Sequence, residues 1–176
     1  MPMSHARWFA LSVRANRESV VADILQSKGY EVFSPVYRSR RVWSDRIKEL
    51  DLPLFAGYIF SRFDLAQRTA PVLTTPGVVR VIGFGGRAVP LDEQEIEAVR
   101  TIVNSGVPAQ PLSHFSSGDK VRIMHGPLAG LEGTLIEAKK RHQLVVSISL
   151  LQRSVSVDID RAWVQPVLPS MAARCA

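Results

Sequence analysis

The stretch Gly126-Pro127-Leu128-Ala129-Gly130-Leu131-Glu132-Gly133 decides the fold of the C-terminal part of the chain. Its three glycines tolerate positive φ angles and close backbone approach, so they allow a tight connection between two strands. The runs on either side are β-branched and alternate with a period near two, which is typical of strands. We therefore predict an SH3-like barrel of five short strands, at Lys120–Met124, Thr134–Ala138, Leu144–Leu150, Ser154–Ile159 and Trp163–Val167.

Length and composition are those of a globular protein with one large or two small domains in its 176 residues. No apolar run approaches the roughly 20 residues that span a bilayer, and the N-terminus lacks the apolar core of a secretory signal. These features predict a cytoplasmic protein with no membrane contact. The single cysteine, Cys175, excludes an intramolecular disulfide and a cysteine metal cluster.

Basic residues exceed acidic ones by six, which suits contact with phosphate or with an acidic protein surface. The excess is spread evenly, since residues 1–106 carry 14 basic and 11 acidic side chains and the remainder carries 8 and 5. The densest basic run lies in a predicted long hairpin, where a solvated surface loop is the alternative interpretation. Its members are Arg38, Arg40, Arg41, Arg46 and Lys48.

The N-terminal part alternates apolar runs that predict strands with amphipathic runs that predict helices. Pro53 and Gly57 flank or interrupt the third strand, so we expect a bulge or an edge there. The fourth strand is apolar on both faces, which favours a central position. The predicted strands are Trp8–Val13, Tyr30–Tyr37, Leu54–Phe60 and Val78–Phe84.

Helices are predicted after the first, third and fourth strands. Asn16 is expected to cap the first helix, and Asp92 with Glu95 forms a capping box for the last. The middle helix is expected within Leu65–Leu73, where Pro71 is tolerated only near an end or a kink. This order of elements predicts an α+β sandwich with helices packed on a mainly antiparallel sheet.

Periodicity stops between Asn104 and Ser117, where small and polar residues predict a linker. We therefore divide the chain into an α+β domain at residues 1–106, a linker at 107–116, a barrel at 117–168 and a disordered tail at 169–176.

Catalytic chemistry is not indicated, because the histidines are scattered without metal-ligand spacing and no nucleophile lies in a recognisable motif. Gly83-Phe84-Gly85-Gly86 follows a strand, but an extended segment comes after it, so a hairpin turn is favoured over a phosphate-binding loop. We expect no enzyme activity, no cofactor and no metal.

Several motifs in order along the chain resemble the NusG family of transcription elongation factors. Pro53–Phe60 resembles the family's phenylalanine-proline-glycine-tyrosine strand, with Ala56 in place of proline, and Thr75-Pro76-Gly77-Val78 matches its turn. The opening strand Trp8-Phe9-Ala10-Leu11 is also similar. The C-terminal glycine stretch resembles the family's KOW loop, through Gly126, Pro127, Leu128, Gly130 and Gly133.

The resemblance implies an N-terminal NGN domain that binds RNA polymerase and a C-terminal KOW barrel that recruits a second partner. The segment Arg41–Glu49 resembles the specialised RfaH, UpxY and LoaP types, which suppress pausing or termination. The alternative is a ribosome-associated RNA-binding KOW protein, which the modest charge of +6 disfavours. In either case we expect a monomer.

By resemblance, the polymerase contact is an apolar cavity that receives the clamp helices of the β′ subunit. The residues that should line or support it are Trp8, Ser12, Phe55, Ala56, Tyr58 and Phe60. The same aromatics could simply fill a core, and Tyr58 is the one most expected to be exposed because its hydroxyl needs a polar partner.

The family's three further contacts map onto other parts of the chain. The gate loop of the β subunit would meet Gln67, Arg68 and Thr69, and non-template DNA would meet Arg14 and Arg17, for which solvated arginines are the alternative. A ribosomal protein or Rho would meet the barrel at Leu128, Leu150 and Leu151, unless these leucines fill its interior.

Overall fold

The computed structural model describes residues 5–113 and 118–167. The chain divides into two compact units, one comprising Met1–Glu97 with Ile148–Leu151 and the other Ala98–Ser147 with Gln152–Ala176. The predicted tail 169–176 with Cys175, residues 114–116 of the predicted linker, and residues 117 and 168 of the predicted barrel lie outside the described residues. No helix within the described ranges is long and apolar enough to cross a bilayer.

The N-terminal elements form an α+β arrangement, as predicted. In chain order they are β1 (Arg7–Val13), α1 (Glu18–Ser27), β2 (Glu31–Phe33), β3 (Val36–Val42), β4 (Ile47–Pro53), β5 (Tyr58–Phe63), α2 (Thr69–Leu73), β6 (Val78–Val81), β7 (Gly83–Phe84), β8 (Arg87–Ala88) and α3 (Glu93–Ser105).

The main sheet of this unit has the order β2-β5-β1-β6. All three pairings are antiparallel, and the register sets Ser12 opposite both Tyr58 of β5 and Arg80 of β6. Two hairpins, the long β3–β4 and the short β7–β8, form separate two-stranded sheets. The second hairpin confirms that Gly83–Gly86 belongs to a hairpin and not to a phosphate-binding loop.

One face of the main sheet packs against α1. Phe9, Leu11 and Val13 of β1 point to this side and join α1 residues Val21 and Leu25 in one buried cluster. Phe63 lies 4.9 Å from Phe9 and 6.2 Å from Tyr30, measured between ring centroids. This helix-covered face is therefore one closed apolar core of the unit, and the buried Trp8, Ala10 and Phe60 lie outside it.

The turn Thr75-Pro76-Gly77 is present as predicted and packs onto α1. Gly77 has a φ of +99°, and a Cβ at this position would lie 2.7 Å from Cγ2 of Val21. Lys28 Nζ donates to Oγ1 of the buried Thr75 at 2.8 Å. Both the backbone angle and the close packing therefore require glycine at position 77.

Strand boundaries and positions differ from the predictions in three places. The predicted strand Tyr30–Tyr37 is two strands, β2 and β3, that are separated at Ser34-Pro35. The predicted strand Leu54–Phe60 is a turn followed by β5, and β5 lies inside the sheet and not at its edge. The predicted central strand Val78–Phe84 is instead the edge strand β6 followed by β7, and Val79 is exposed.

Of the two predicted N-caps, the one of α3 is present and the one of α1 is not. Asp92 Oδ1 accepts the Gln94 N–H at 2.8 Å, so Asp92 caps α3 as predicted. The Glu95 carboxylate accepts from Ser149 N–H and Oγ, so the reciprocal half of the predicted capping box is wrong. Asn16 does not cap α1: it has a φ of +61°, and Arg17 precedes the helix without a side-chain cap. A left-handed asparagine suits the turn between β1 and α1 and lacks the extended geometry of a cap.

The C-terminal unit is rich in strands, as predicted. Its elements are β9 (Ala109–Leu112), β10 (Asp119–Ile123), β11 (Glu132–Ala138), β12 (Arg141–Ile148), β13 (Arg153–Asp158) and β14 (Val164–Pro166). Within the described ranges they form one sheet of order β14-β10-β11-β12-β13-β9. Strand β9 lies in the predicted linker and pairs with β13, with Pro111 opposite Val155. Pro111 is tolerated because β9 is an edge strand.

The loop between β10 and β11 needs two of its glycines for different reasons. Gly126 has a φ of +85°, and a Cβ there would lie 2.6 Å from the Trp163 ring. Gly130 has a φ of +90° and donates its N–H to the Ile123 carbonyl at 2.7 Å. The loop therefore folds back on β10 while the indole covers its start.

Candidate functional site

The second face of the main sheet, opposite α1, carries the residues that the sequence selects. Strand alternation directs Trp8, Ala10 and Ser12 to this side, since their neighbours in β1 face the helix-covered core. The antiparallel register extends each of them into a row across the sheet. The rows are Glu31–Arg62–Trp8, Phe33–Phe60–Ala10 and Tyr58–Ser12–Arg80.

The middle row is an aromatic floor. Phe60 is fully buried, its ring centroid 6.2 Å from that of Phe33 in a stacked arrangement and 5.2 Å from that of Phe55 in an edge-on one. Both are geometries that aromatic pairs prefer. The rings therefore form a rigid apolar base beneath the neighbouring rows.

The row Tyr58–Ser12–Arg80 is the open end of the second face. Tyr58 and Ser12 are half-buried, and Arg80 is exposed. The row thus offers a ring with a hydroxyl, a small hydroxyl and a guanidinium beside an apolar floor. We call these three residues the open row.

The other end of the second face is closed by charge. Arg62 Nη1 lies 3.9 Å from Oε2 of Glu31 and 3.4 Å from Oε1 of Glu93. Since Arg62 is partly shielded between two carboxylates and Trp8 beside it is buried, this end offers little apolar surface. The second face therefore runs from an ion-paired end to an open polar-aromatic end.

A tight turn at residues 54–57 brings Phe55 onto the floor. Tyr58 N–H donates to the Phe55 carbonyl at 2.9 Å, and Gly57 has a φ of +84°. Gly57 N–H donates to Oε1 of Glu18 at 2.8 Å, and its carbonyl accepts the Val13 N–H at 2.9 Å. Glu18 is buried in the first turn of α1, so its carboxylate ties the helix to the turn that positions Phe55.

The predicted clamp-helix residues thus fall into two groups. Trp8, Phe55 and Phe60 are buried and can support a docking surface but cannot line it. Accessible area comes from Ser12, Tyr58 and the exposed Ala56. Ala56 lies within the turn, where the family's proline is absent, and the turn is held by backbone hydrogen bonds and by the Glu18 carboxylate.

The predicted gate-loop residues lie at the start of α2. Gln67 and Arg68 are exposed, and Thr69 is half-buried. The Arg68 guanidinium carbon lies 4.2 Å from the centroid of Tyr30, and Arg68 Nη2 donates to the Lys28 carbonyl at 3.2 Å. Since the Tyr30 ring belongs to the α1-side core, these residues lie on the opposite side of the sheet from the open row.

The predicted nucleic-acid residues lie in the turn between β1 and α1. Arg14 and Arg17 both have exposed side chains, and the Arg14 N–H donates to the Gly77 carbonyl at 2.9 Å. The turn is therefore fixed through its backbone, while both guanidinium groups reach solvent.

The predicted barrel contacts differ in exposure. Leu128 is only 3% exposed, so it is an interior residue, which is the alternative that the sequence left open. Leu150 and Leu151 are half-buried in a 3-10 turn at Ser149–Leu151. Of the three leucines, only these two offer surface to a partner.

Three residues of the site were missed from the sequence. Phe33 and Arg80 enter it through the register of the sheet, and Glu18 enters through a hydrogen bond to a distant turn. Alternation along β6 sets Arg80 apart from Val79 and Val81, but its partner strand is not readable from the chain alone.

Comparison with known proteins agrees with this architecture. The family model described as transcription termination factor NusG matches residues 6–100. The transcription termination/antitermination protein NusG of Thermus thermophilus is 30% identical over 159 residues, which cover 84% of this chain and 86% of that protein. The NusG of Deinococcus radiodurans is 28% identical, with 87% and 95% covered.

A solved structure supports the fold. The structure that describes domain interaction in Thermotoga maritima NusG superimposes with a TM-score of 0.53 at 20% identity, covering 93% of this chain and 98% of that one. Its likeness confirms the predicted combination of an N-terminal α+β part with a C-terminal strand-rich part. Since the family model matches more than half of the chain and a relative is 30% identical over most of it, the chain belongs to the NusG family of transcription termination factors.

Proposed function

We propose that the chain is a transcription elongation and antitermination factor that binds RNA polymerase through the second face of its N-terminal sheet. The observation that carries the proposal is the open row Tyr58–Ser12–Arg80 beside a buried aromatic floor. An amphipathic helix pair, such as the clamp helices of the β′ subunit, needs a preformed apolar base and a few polar groups that fix its orientation.

The proposed contacts lie on two sides of the sheet, which favours a mechanism in which the factor bridges two elements of RNA polymerase. The open row would hold the β′ clamp helices, while Gln67, Arg68 and Thr69 on the other side would meet the gate loop of the β subunit. A factor that binds both elements in the closed clamp more tightly than in the open clamp shifts polymerase away from the paused state. The exposed Arg14 and Arg17 would contact non-template DNA in the same complex.

We assign the chain to the specialised antiterminator type, on the resemblance of Arg41–Glu49 to the RfaH, UpxY and LoaP types. The C-terminal barrel would recruit a ribosomal protein or Rho through Leu150 and Leu151, and the factor would act in the cytoplasm as a monomer. In a transcription assay with Rho, this type lowers termination, so an increase in termination would contradict the assignment.

Binding of purified full-length variants to bacterial RNA polymerase tests the docking surface. Tyr58→Ala and Ala56→Asp should each weaken binding at least about tenfold, because a desolvated interface ring is commonly worth 2 kcal/mol or more and a buried unpaired charge is costly. Val20→Asp is the matched control, because Val20 is exposed on α1, on the other side of the sheet, and aspartate suits the first turn of a helix.

Two outcomes of this measurement contradict the proposal. Equal binding by Tyr58→Ala, Ala56→Asp and the parent chain would contradict the assignment of the second face as the docking surface. Association that is lost from all variants after RNA digestion, with sedimentation on ribosomes, would favour the ribosome-associated alternative.

A further inference from the structure

The hairpin β3–β4 presents two faces of different charge. The register pairs Arg38 with Asp51 and Arg40 with Glu49 on one face, which we call the paired face. Arg40 Nε lies 3.0 Å from Oε1 of Glu49, and Arg38 Nε lies 3.8 Å from Oδ1 of Asp51. The two positive charges of the paired face are therefore balanced by two negative ones.

The other face, which we call the basic face, carries like charges side by side. Arg41 lies directly opposite Lys48, and the next pair toward the tip is Trp43 and Arg46. Like charges directly opposite one another in a ladder are destabilising. Within residues 5–113 and 118–167, neither Arg41 nor Lys48 forms an ion pair, and the nearest acid to Arg46 is Asp45 at 4.0 Å.

The tip of the basic face also carries an exposed ring. Trp43 N–H donates to the Arg46 carbonyl at 2.8 Å, which fixes the backbone of the tip, while the indole is 57% exposed. The tip therefore places a large, mostly exposed aromatic side chain beside three cations, Arg41, Lys48 and Arg46.

We propose that the basic face of this hairpin binds single-stranded nucleic acid, with Trp43 stacking on an unpaired base and Arg41, Lys48 and Arg46 contacting phosphates. Charge complementarity selects a polyanion, and the exposed indole selects a polyanion with accessible flat rings. Bases inside a duplex are not available to such a ring, so a single strand is favoured over a double helix. DNA and RNA share this chemistry, and the experiment separates them.

The test measures binding of the full chain to fluorescent oligo-dT and oligo-U of about 15 nucleotides and to a duplex of equal length. This length is within the range of sites occupied by single-strand-binding modules. Arg14→Ala/Arg17→Ala is the common background, so that only the hairpin is compared. Arg41→Ala/Lys48→Ala should reduce the slope of log affinity against log salt by about 1.4, since each phosphate contact on a single strand contributes about 0.7.

The matched control is Arg38→Ala/Arg40→Ala, which removes the same charge from the paired face and should leave the slope within error. Trp43→Ala should weaken binding roughly 5- to 150-fold at fixed salt, while its salt slope stays unchanged. This split separates stacking from phosphate contact within one hairpin. A preference of the parent chain for oligo-dT or for oligo-U names the nucleic acid, and either preference supports the proposal.

Three outcomes would overturn it. These are equal losses in the two double variants, tighter binding to the duplex than to either strand, and binding to polyglutamate with the same dependence on Trp43. The measurement uses no polymerase, so its failure is independent of the proposed docking surface.

Discussion

The same strands supply both faces of the N-terminal sheet, one face a closed core and the other an open row. On the α1 side, β1 and β5 contribute Phe9, Leu11 and Phe63 to a closed apolar cluster. On the second face, the same two strands contribute Ser12 and Tyr58 to an open row. Alternation along one strand can thus separate folding from recognition, because successive side chains belong to different environments.

The largest effect is expected on the helix-covered face. Phe63→Ala removes a ring that is 2% exposed and packs on Phe9 and Tyr30, so it should lower the free energy of unfolding by about 3–5 kcal/mol. Urea denaturation followed by tryptophan fluorescence measures the change. A cost below about 1 kcal/mol would mean that the cluster collapses around the gap and is not a rigid core.

A smaller effect separates packing from backbone strain at two glycines. Gly77→Ala meets both an unfavourable φ and the Val21 methyl group, and should cost about 1–3 kcal/mol. Gly57→Ala meets a similar φ of +84° with nothing within 4 Å of the added Cβ, so it should cost less. Thermal denaturation of the two variants compares them directly, and equal losses would show that strain alone decides both positions.

The smallest effect on folding is expected at the open row. Arg80→Ala removes an exposed side chain and should change the free energy of unfolding by no more than about 0.5 kcal/mol. The same variant should still weaken polymerase binding measurably if the open row is the docking surface. Stability loss comparable to that of Gly77→Ala would place Arg80 in the fold and end the contrast between the faces.

Much of the fold was predictable because its local patterns are strong. The glycine loop at 126–133, the turn at Thr75–Gly77 and the Asp92 cap each rest on a few neighbouring residues, and the structure contains all three. Part of the candidate site could be predicted for the same reason, since the motif around Tyr58 is continuous in sequence. Its role in polymerase binding stays a prediction.

The remaining features depend on contacts between distant residues. The continuous apolar run Leu54–Phe60 concealed a turn, which exists because Gly57 takes a positive φ and Glu18 accepts its N–H. The apolar run Val78–Phe84 predicted a central strand, yet its strand β6 pairs with β1 alone and lies at the edge of the main sheet. Strand β9 was predicted as linker because periodicity stops there and small and polar residues take over, and its strand character depends on pairing with the distant β13. Its edge position permits Pro111.

The carboxylate of Glu18 couples the start of α1 to the turn at residues 54–57. Because it joins the first turn of α1 to the loop beneath Phe55, a ligand that presses on that loop should slow amide hydrogen exchange at the start of the helix, across the thickness of the sheet. Conversely, fraying of that helix end would loosen the seat for any docked partner without altering a single residue that touches it.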